Sequence, residues 1–300
     1  MNTKTNQTMN NKLSMLKNLV MGFCLLTMAV GCKSMANKGK SANNNPENAL
    51  GWKLGSQAYT FNRYTFIEAI NKIDSCNLRY VEAFPGQVIG GGIDGKMGPD
   101  MDETTRKAVL NALKAKNIKL VAFGVTNGDG EAGWIKLFEF CKEMGIQTIT
   151  SEPNETDIPL LSKLADKYEI NIAIHNHPNP SHYWNPDIVL NAIKGQSNRI
   201  GACADIGHWV RSGLDPVECL KKLEGHVLHS HMKDLHEKGK NGHDVHWGEG
   251  VSNIPAVIEE LKRQHFTGAI SAEYEYNWLS NSADVSASVI NFRNLVRKQQ

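Results

Sequence analysis

The chain has 300 residues with 33 basic and 31 acidic side chains, and 41% of its residues are hydrophobic. Residues 1–50 contain six Lys and a single acid, Glu47, so residues 51–300 carry a formal charge of −3. A mildly acidic body lacks the basic surface that nucleic-acid binding requires, so we expect no nucleic-acid partner.

Residues 1–32 have the pattern of a signal peptide. Two lysines precede an apolar run at 19–30 that is too short to span a membrane. The tetrad AVGC, residues 29–32, resembles the bacterial lipobox, in which the cysteine is lipidated and becomes the mature N-terminus. This resemblance implies an exported lipoprotein that faces the periplasm and contacts the membrane only through a lipid on Cys32. The tetrad begins with Ala where the lipobox usually has Leu, so plain secretion is the alternative.

Residues 33–50 are rich in Asn, Ser, Gly and Lys and poor in apolar side chains. This composition predicts a flexible tether. No later stretch has the length of a membrane span, so we expect residues 51–300 to form one soluble catalytic domain.

The cysteines outside the signal segment indicate neither a zinc ribbon nor a disulfide framework. They are Cys76, Cys141, Cys203 and Cys219, and none of them forms a CxxC pair. We interpret them as isolated buried thiols. A disulfide between two of them remains open, because a periplasm-like compartment is oxidising.

From residue 51 onward, strand-like and helix-like segments alternate eight times. About 250 residues is the usual size of one α/β barrel, so the pattern predicts a single (β/α)8 TIM barrel with its active site at the C-terminal ends of the strands. A doubly wound open sheet is the rival fold, but no Gly-rich phosphate fingerprint opens a helix, so we expect no nucleotide cofactor. We predict strands near 53–58, 78–83, 118–124, 146–151, 170–175, 199–205, 226–231 and 268–273. Helices are predicted near 65–75, 102–116, 131–144, 157–168, 185–194, 215–223, 253–264 and 282–297.

Six of the predicted strands end in a residue that can bind a metal or move a proton. Charged groups are seldom placed there without a partner, because removing a charge from water is costly. Carboxylates that converge at one barrel rim would repel each other unless a cation neutralised them. Mixed oxygen and nitrogen donors favour one divalent cation, Mn²⁺ first, with Mg²⁺, Co²⁺ or Zn²⁺ as alternatives. The six residues are Glu82, Glu152, His175, Asp205, His231 and Glu273.

These motifs resemble those of the xylose-isomerase-like barrels, which include sugar isomerases, ketohexose 3-epimerases and inosose dehydratases. The resemblance covers residues 51–300. Asp205 and His208 look like the family's D-x-x-H at strand six. His231 in HMKD is similar to its strand-seven metal histidine, and Glu273 in SAEYE to its strand-eight carboxylate.

Strand five departs from the 3-epimerase pattern, because His175 stands where those enzymes have a Glu. The inosose dehydratase branch similarly has H-x-H at strand five and takes a metal carboxylate from strand four, which here would be Glu152. This resemblance implies a metal set of Glu152, Asp205, His231 and Glu273, with His175 free to act as a base. His175 as a fifth ligand is the alternative.

The resemblance implies a metal-dependent lyase or dehydratase that acts on a keto-sugar or keto-glycoside. His175 would remove the proton α to the carbonyl, and β-elimination would follow. A sugar isomerase or epimerase is the first alternative, with Glu273 as a second base. A non-catalytic carbohydrate-binding lipoprotein is the second, and an apurinic-site endonuclease is disfavoured by the acidic body. A sugar oxidoreductase that supplies the keto-sugar is a candidate partner; the oligomeric state stays open.

Supporting roles fall on residues close to these strand ends. Glu82 would protonate a leaving group or hold a hydroxyl, with a structural salt bridge as the alternative. Lys233 would bind a substrate oxygen or pair with Asp234. The glycine-rich segment 86–98 would be a flexible flap over the site or a plain solvent loop.

The sugar itself would be held by imidazoles and aromatic rings. His177 and His208 would donate hydrogen bonds to its hydroxyls. Trp209 and Trp247 would stack on a pyranose face, with plain packing as the alternative for both rings.

Overall fold

The structure, a computed structural model, describes residues 45–299. Eight parallel strands form a closed barrel in which each strand pairs with its neighbours in chain order and the last pairs with the first. The predicted (β/α)8 barrel is therefore confirmed. The strands are β1 (Lys53–Gln57), β2 (Tyr80–Ala83), β3 (Lys119–Phe123), β4 (Thr148–Ser151), β5 (Asn171–His175), β6 (Ile200–Asp205), β7 (Val227–Met232) and β8 (Ala269–Ala272).

Eight helices follow the strands at the predicted places. Each has its apolar side chains at helical spacing, which is the pattern of a helix that packs one face on a sheet. The shell helices are Phe66–Ser75, Glu103–Ala115, Gly130–Glu143, Ile158–Tyr168, Pro186–Ile193, Pro216–Lys222, Ile254–Arg263 and Ser282–Lys298.

The first shell helix illustrates how sequence sets these boundaries. Thr65 accepts a hydrogen bond from the backbone of Glu68, whose carboxylate accepts one from the backbone of Thr65. This reciprocal capping box satisfies N–H groups that the first turn leaves unpaired. The buried positions Phe66, Ala69, Ile70 and Ile73 then repeat at the spacing of one helix face.

A short additional helix, Ile206–Arg211, was not predicted and begins directly after β6. Asp205 is its N-cap, since the Asp205 carboxylate accepts a hydrogen bond from the backbone N–H of His208 at 2.8 Å. Asx N-caps stabilise a helix start by about 1 kcal/mol. The D-x-x-H motif is thus also a local folding signal that turns the chain sharply at the barrel rim.

The N-terminal boundary of the folded body differs from the prediction. Pro46–Ala49 form a helical turn, and the Arg293 guanidinium donates to the buried Glu47 carboxylate at 2.8 and 3.0 Å. The last residues of the predicted 33–50 tether therefore pack on the barrel. The signal segment and Cys32 lie outside the described residues. Within residues 45–299, none of the helices combines the length and the apolar character needed to cross a membrane.

The segment 86–98 is an antiparallel hairpin of Val88–Gly90 and Ile93–Lys96. Its turn packs against the start of the first shell helix. A Cβ added at Gly90 would lie 2.6 Å from the Thr65 side chain, and the φ of Gly90 is +73°. Glycine is required here by both space and backbone conformation, and the packing does not fit the predicted flexible flap over the site.

All four cysteines within the described range are free and buried, as predicted. Burial raises the pKa of Cys203 and of Cys219 to about 12. A buried thiol that stays protonated is a poor nucleophile, because the thiolate is the reactive form.

We therefore expect a variant carrying Cys24→Ser and Cys32→Ser to show no rapid thiol reaction with a chromogenic disulfide reagent while folded. In denaturant without reductant, all four remaining thiols should react. Fewer reactive thiols after denaturation would reveal a disulfide, and a fast reaction of the folded protein would contradict the burial.

Candidate active site

Four neighbouring strands bring two carboxylates and two imidazoles together at the C-terminal rim of the barrel. Asp205 Oδ2 lies 3.5 Å from Nε2 of His175 and 3.8 Å from Nδ1 of His231. Glu273 Oε2 lies 3.0 Å from the same nitrogen of His231. All four side chains are buried. The predicted convergence of strand ends β5 to β8 therefore produces one compact polar cluster.

Lys233 supplies a positive charge at the centre of this cluster. Its Nζ donates to Asp205 Oδ2 at 2.5 Å and also to Glu273 Oε2, and it lies 3.5 Å from Glu275 Oε2. Burial opposes the charged form, but these carboxylates hold the pKa of Lys233 above its ordinary value. The alternative of a pair with Asp234 is wrong, because Asp234 instead accepts three backbone hydrogen bonds from the following loop.

Two buried imidazole nitrogens of the cluster face carboxylates without a well-aligned hydrogen bond. They are Nε2 of His175, 3.5 Å from Asp205, and Nδ1 of His231, 3.0 Å from Glu273. Burial opposes the charged form of His231, but the nearby carboxylates of Glu82 and Glu273 hold its pKa well above the ordinary value, so the ring carries a proton on each nitrogen when no cation is bound. A cation that displaced the proton on Nδ1 would meet a nitrogen lone pair beside Asp205 and Glu273, a donor set that suits a divalent cation. The residues present therefore fit a metal ion.

His208 belongs to the same cluster, and with His175, Asp205 and Glu273 it forms a buried group whose donor atoms could hold a metal ion. Arg211 donates to Nδ1 of His208 at 3.1 Å, so the ring proton must be on Nε2. That nitrogen lies 3.7 Å from Asp205 Oδ2. Burial lowers the pKa of His208 well below its ordinary value, so the ring is a neutral donor. Arg211 also donates to Glu275 at 2.7 Å and to Asp244 at 3.1 Å.

Glu152 faces the opposite side of the His175 ring and is already saturated with donors. Its Oε1 accepts from the backbone N–H of His177 at 3.0 Å, lies 2.5 Å from Nδ1 of His177 and 3.2 Å from Nδ1 of His175. Its Oε2 accepts from the Ser181 hydroxyl at 2.9 Å. Glu152 therefore contacts imidazoles here, and with His175 and His177 it forms a group whose donor atoms could hold an ion. Its predicted place in one ligand set with Asp205, His231 and Glu273 stays a prediction.

Glu82 lies below the rim, in the barrel interior, and does not reach the mouth as predicted. It is fully buried and contacts four donors: the hydroxyls of Thr150 and Ser271 at 2.6 and 2.9 Å, and the rings of His229 and His231 at 2.8 and 2.9 Å. Burial opposes ionisation, but the two histidines hold its pKa well below the ordinary value. The predicted role of Glu82 as a proton donor to a leaving group is therefore corrected to orientation of His231.

A cavity of about 420 Å³ opens beside this cluster. Part of its wall is aromatic, because the rings of Tyr59 and Phe84 lie 5.3 Å apart there. His177 reaches the cavity with its side chain 49% exposed. The lining residues are Gln57, Tyr59, Phe84, Pro85, Gly124, Val125, His177, Glu273 and Glu275.

The predicted stacking role of Trp209 and Trp247 does not fit the structure. Both rings are 1% exposed and belong to the hydrophobic core, and Trp247 packs 5.7 Å from Phe292. The aromatic residues at the cavity, Tyr59 and Phe84, were missed although they follow β1 and β2. The strand-end rule that located the acids would also have found them.

Removal of the Glu82 carboxylate should strongly destabilise the fold. Glu82→Ala leaves buried donors, among them His231, without an acceptor, and breaking a buried ion pair costs about 3–5 kcal/mol. We expect that loss in the free energy of unfolding measured by urea denaturation. The control is Glu259→Ala on an exposed helix face, where the change should be small. A Glu82→Ala loss no larger than that of the control would contradict the buried network.

A family model described as xylose isomerase-like TIM barrel matches residues 70–294 of the chain. Among curated proteins, the chain is 31% identical over 129 residues to an uncharacterized protein of Methanocaldococcus jannaschii. That match covers 40% of this chain and 42% of the relative, so it spans about two fifths of the relative's length.

Solved structures extend the likeness to the whole barrel. A putative uncharacterized protein from Parabacteroides distasonis is 34% identical with a TM-score of 0.68, over 83% of this chain and 100% of that chain. The IolI protein with a bound zinc atom is 16% identical, with a TM-score of 0.61 over 82% and 98% of the two chains. The probable 3-DHS dehydratase AsbF of Bacillus anthracis is 16% identical, with a TM-score of 0.59 over 79% and 97%. At 16% identity the likeness is one of fold.

Proposed function

The chain belongs to the xylose isomerase-like TIM barrel family, and we propose that it is a divalent-metal-dependent enzyme that removes the proton α to the carbonyl of a keto-sugar. The observation that carries the proposal is that two buried imidazole nitrogens, on His175 and His231, face the carboxylates of Asp205 and Glu273 without a well-aligned hydrogen bond. Nitrogen and oxygen donors that converge in this way suit a divalent cation.

The proposed ligands are Asp205, His231, Glu273 and His175. This set omits Glu152 of the sequence prediction and includes His175, which the sequence left open as a fifth ligand beside Glu152. A bound cation would polarise the substrate carbonyl and so acidify the neighbouring carbon. Mn²⁺ remains the first expectation, and the zinc in the IolI neighbour is a precedent for an ion in this fold.

His177 is the residue that we assign as the base, in place of His175. Glu152 holds Nδ1 of His177, which leaves the other ring nitrogen to take a proton. His177 lines the cavity, whereas His175 is fully buried beneath it. A carboxylate that fixes one nitrogen of a base also stabilises the imidazolium that forms when the base accepts a proton.

The proposed outcome is β-elimination, which gives a lyase or dehydratase. An epimerase needs a second base on the opposite face of the substrate. Of the two carboxylates that line the cavity, Glu273 would be committed to the cation as a ligand, and Glu275 is paired with Arg211 at 2.7 Å, which disfavours it as a base. Epimerisation is the second candidate.

The substrate class that we propose is a keto-sugar or keto-glycoside, supplied by a sugar oxidoreductase. The aromatic wall of Tyr59 and Phe84 offers apolar faces for a pyranose ring. Glu275 lines the same cavity and is placed to hold a hydroxyl. The lipid anchor on Cys32 and the periplasmic location remain proposals that rest on the lipobox resemblance.

Solvent-deuterium incorporation by NMR tests this function on a panel of 3-keto-glucosides and inososes with Mn²⁺. We expect exchange at the carbon next to the ketone together with a released aglycone or an unsaturated product. His177→Gln should slow the exchange at least about hundredfold, the usual contribution of a general base, and should leave the Mn²⁺ affinity unchanged. His175→Gln should weaken Mn²⁺ binding instead.

The matched control is His182→Gln, an exposed histidine on the same loop that pairs with Glu155. It should change neither quantity. Two results together would identify His175 as the base. His175→Gln would lose the exchange while it still bound Mn²⁺, and His177→Gln would keep full exchange. Exchange that ends only in inverted stereochemistry would move the assignment to an epimerase. Sugar binding without exchange, and unaffected by a chelator, would point to a binding protein.

A further inference from the structure

Lys233 is a fully buried lysine whose ammonium competes for the oxygens that the proposed cation needs. Asp205 Oδ1 already accepts the backbone N–H of His208, so Oδ2 is the oxygen left to bind a cation. Lys233 Nζ lies 2.5 Å from that Oδ2 and also contacts Glu273 Oε2. An ammonium and a divalent cation on the same two oxygens would repel each other strongly in a buried site.

Close packing against Gly207 fixes the path of the Lys233 side chain. Its aliphatic stem passes over Gly207, in the short helix Ile206–Arg211 that follows β6. A Cβ added at Gly207 would lie 2.5 Å from Cβ and 3.0 Å from Cδ of Lys233, closer than packed carbon atoms approach. The φ of Gly207 is not positive, so its backbone conformation does not require glycine. Glycine is required here because a side chain would occupy the space that the Lys233 stem fills.

A second carboxylate is within reach of the ammonium on the cavity side. Glu275 Oε2 lies 3.5 Å from Lys233 Nζ, its side chain is 22% exposed, and it lines the cavity. Arg211 holds this carboxylate in place at 2.7 Å. A rotation about the terminal bonds of Lys233 would therefore exchange one carboxylate partner for another without leaving the ammonium unpaired.

We propose that Lys233 is the internal counter-cation of the metal-free site, and that a divalent cation displaces its ammonium towards Glu275 and the cavity. The identity of the cation site rests on the proposed function. The displacement has a chemical consequence: metal loading moves a positively charged hydrogen-bond donor to the place where the oxygens of a keto-sugar would bind. Lys233 is then a positioning residue for substrate, and its placement is coupled to the metal.

The test measures Mn²⁺ affinity by calorimetry on the full chain and on the variant Lys233→Met. Removal of the ammonium leaves Asp205 and Glu273 without their counter-charge. We expect Mn²⁺ to bind at least about tenfold more tightly, equivalent to about 1.4 kcal/mol, and the metal-free variant to melt at a lower temperature. Lys233→Gln keeps a hydrogen-bond donor without the charge and should show the same tightening if Lys233→Met folds poorly.

The matched control is Lys240→Met, an exposed lysine in the loop after β7, which should change neither affinity nor melting temperature. The displacement itself has a separate readout. A small acylating reagent, followed by mass spectrometry, should label Lys233 faster in the Mn²⁺-loaded wild-type protein than in the metal-free protein.

The outcomes separate this inference from the proposed function. Unchanged or weaker Mn²⁺ binding in both Lys233 variants would show that ammonium and cation coexist, which overturns the inference and leaves the metal enzyme standing. Binding that appears only in the variants would support Lys233 as a permanent counter-cation and overturn the metal-dependent function. An absence of Mn²⁺ binding in wild type and variants would overturn both.

Discussion

The burial of two carboxylates at one barrel rim, those of Asp205 and Glu273, is the constraint on which the rest of the site depends. Each buried charge costs several kcal/mol of desolvation, and two neighbouring carboxylates also repel each other. The fold therefore has to supply positive charge at this point. The Lys233 ammonium supplies it, because it contacts both carboxylates. Further from these two carboxylates, the Arg211 guanidinium contacts a third one, that of Glu275. A site organised in this way is prepared to exchange one cation for another.

The closed parallel barrel arranges the polar groups in three levels. At the deepest level, hydroxyls and imidazoles surround the Glu82 carboxylate, which in turn orients the His231 ring above it. The middle level, at the rim, holds the imidazole nitrogens that face Asp205 and Glu273, together with the ammonium of Lys233. The outer level is open to the cavity, where Glu152 orients the half-exposed His177. This order separates the groups that suit metal binding from the group that suits proton transfer.

The sequence predicts the convergence well, because acids and imidazoles at the ends of apolar strands must meet on one face of a parallel barrel. Depth within the barrel could not be predicted. Glu82 lies in the interior, where hydroxyls and imidazoles from β4, β7 and β8 surround it, and these contacts form only once the barrel closes. Nor does the sequence reveal that a long side chain such as Lys233 crosses Gly207 to reach Asp205, since that path depends on packing. The lipobox at residues 29–32 lies outside the described residues, so lipidation of Cys32 stays a prediction.

The central claim is that a divalent cation binds at Asp205 and Glu273 and replaces the Lys233 ammonium there. A crystal structure of the protein grown with Mn²⁺, with the ion located by its anomalous scattering, tests this most directly. The account predicts one ion in contact with Asp205, His231 and Glu273, and a Lys233 ammonium that has moved to Glu275. An ion bound instead between Glu152 and His177, or a Lys233 that still bridges Asp205 and Glu273 in the presence of saturating Mn²⁺, would contradict it.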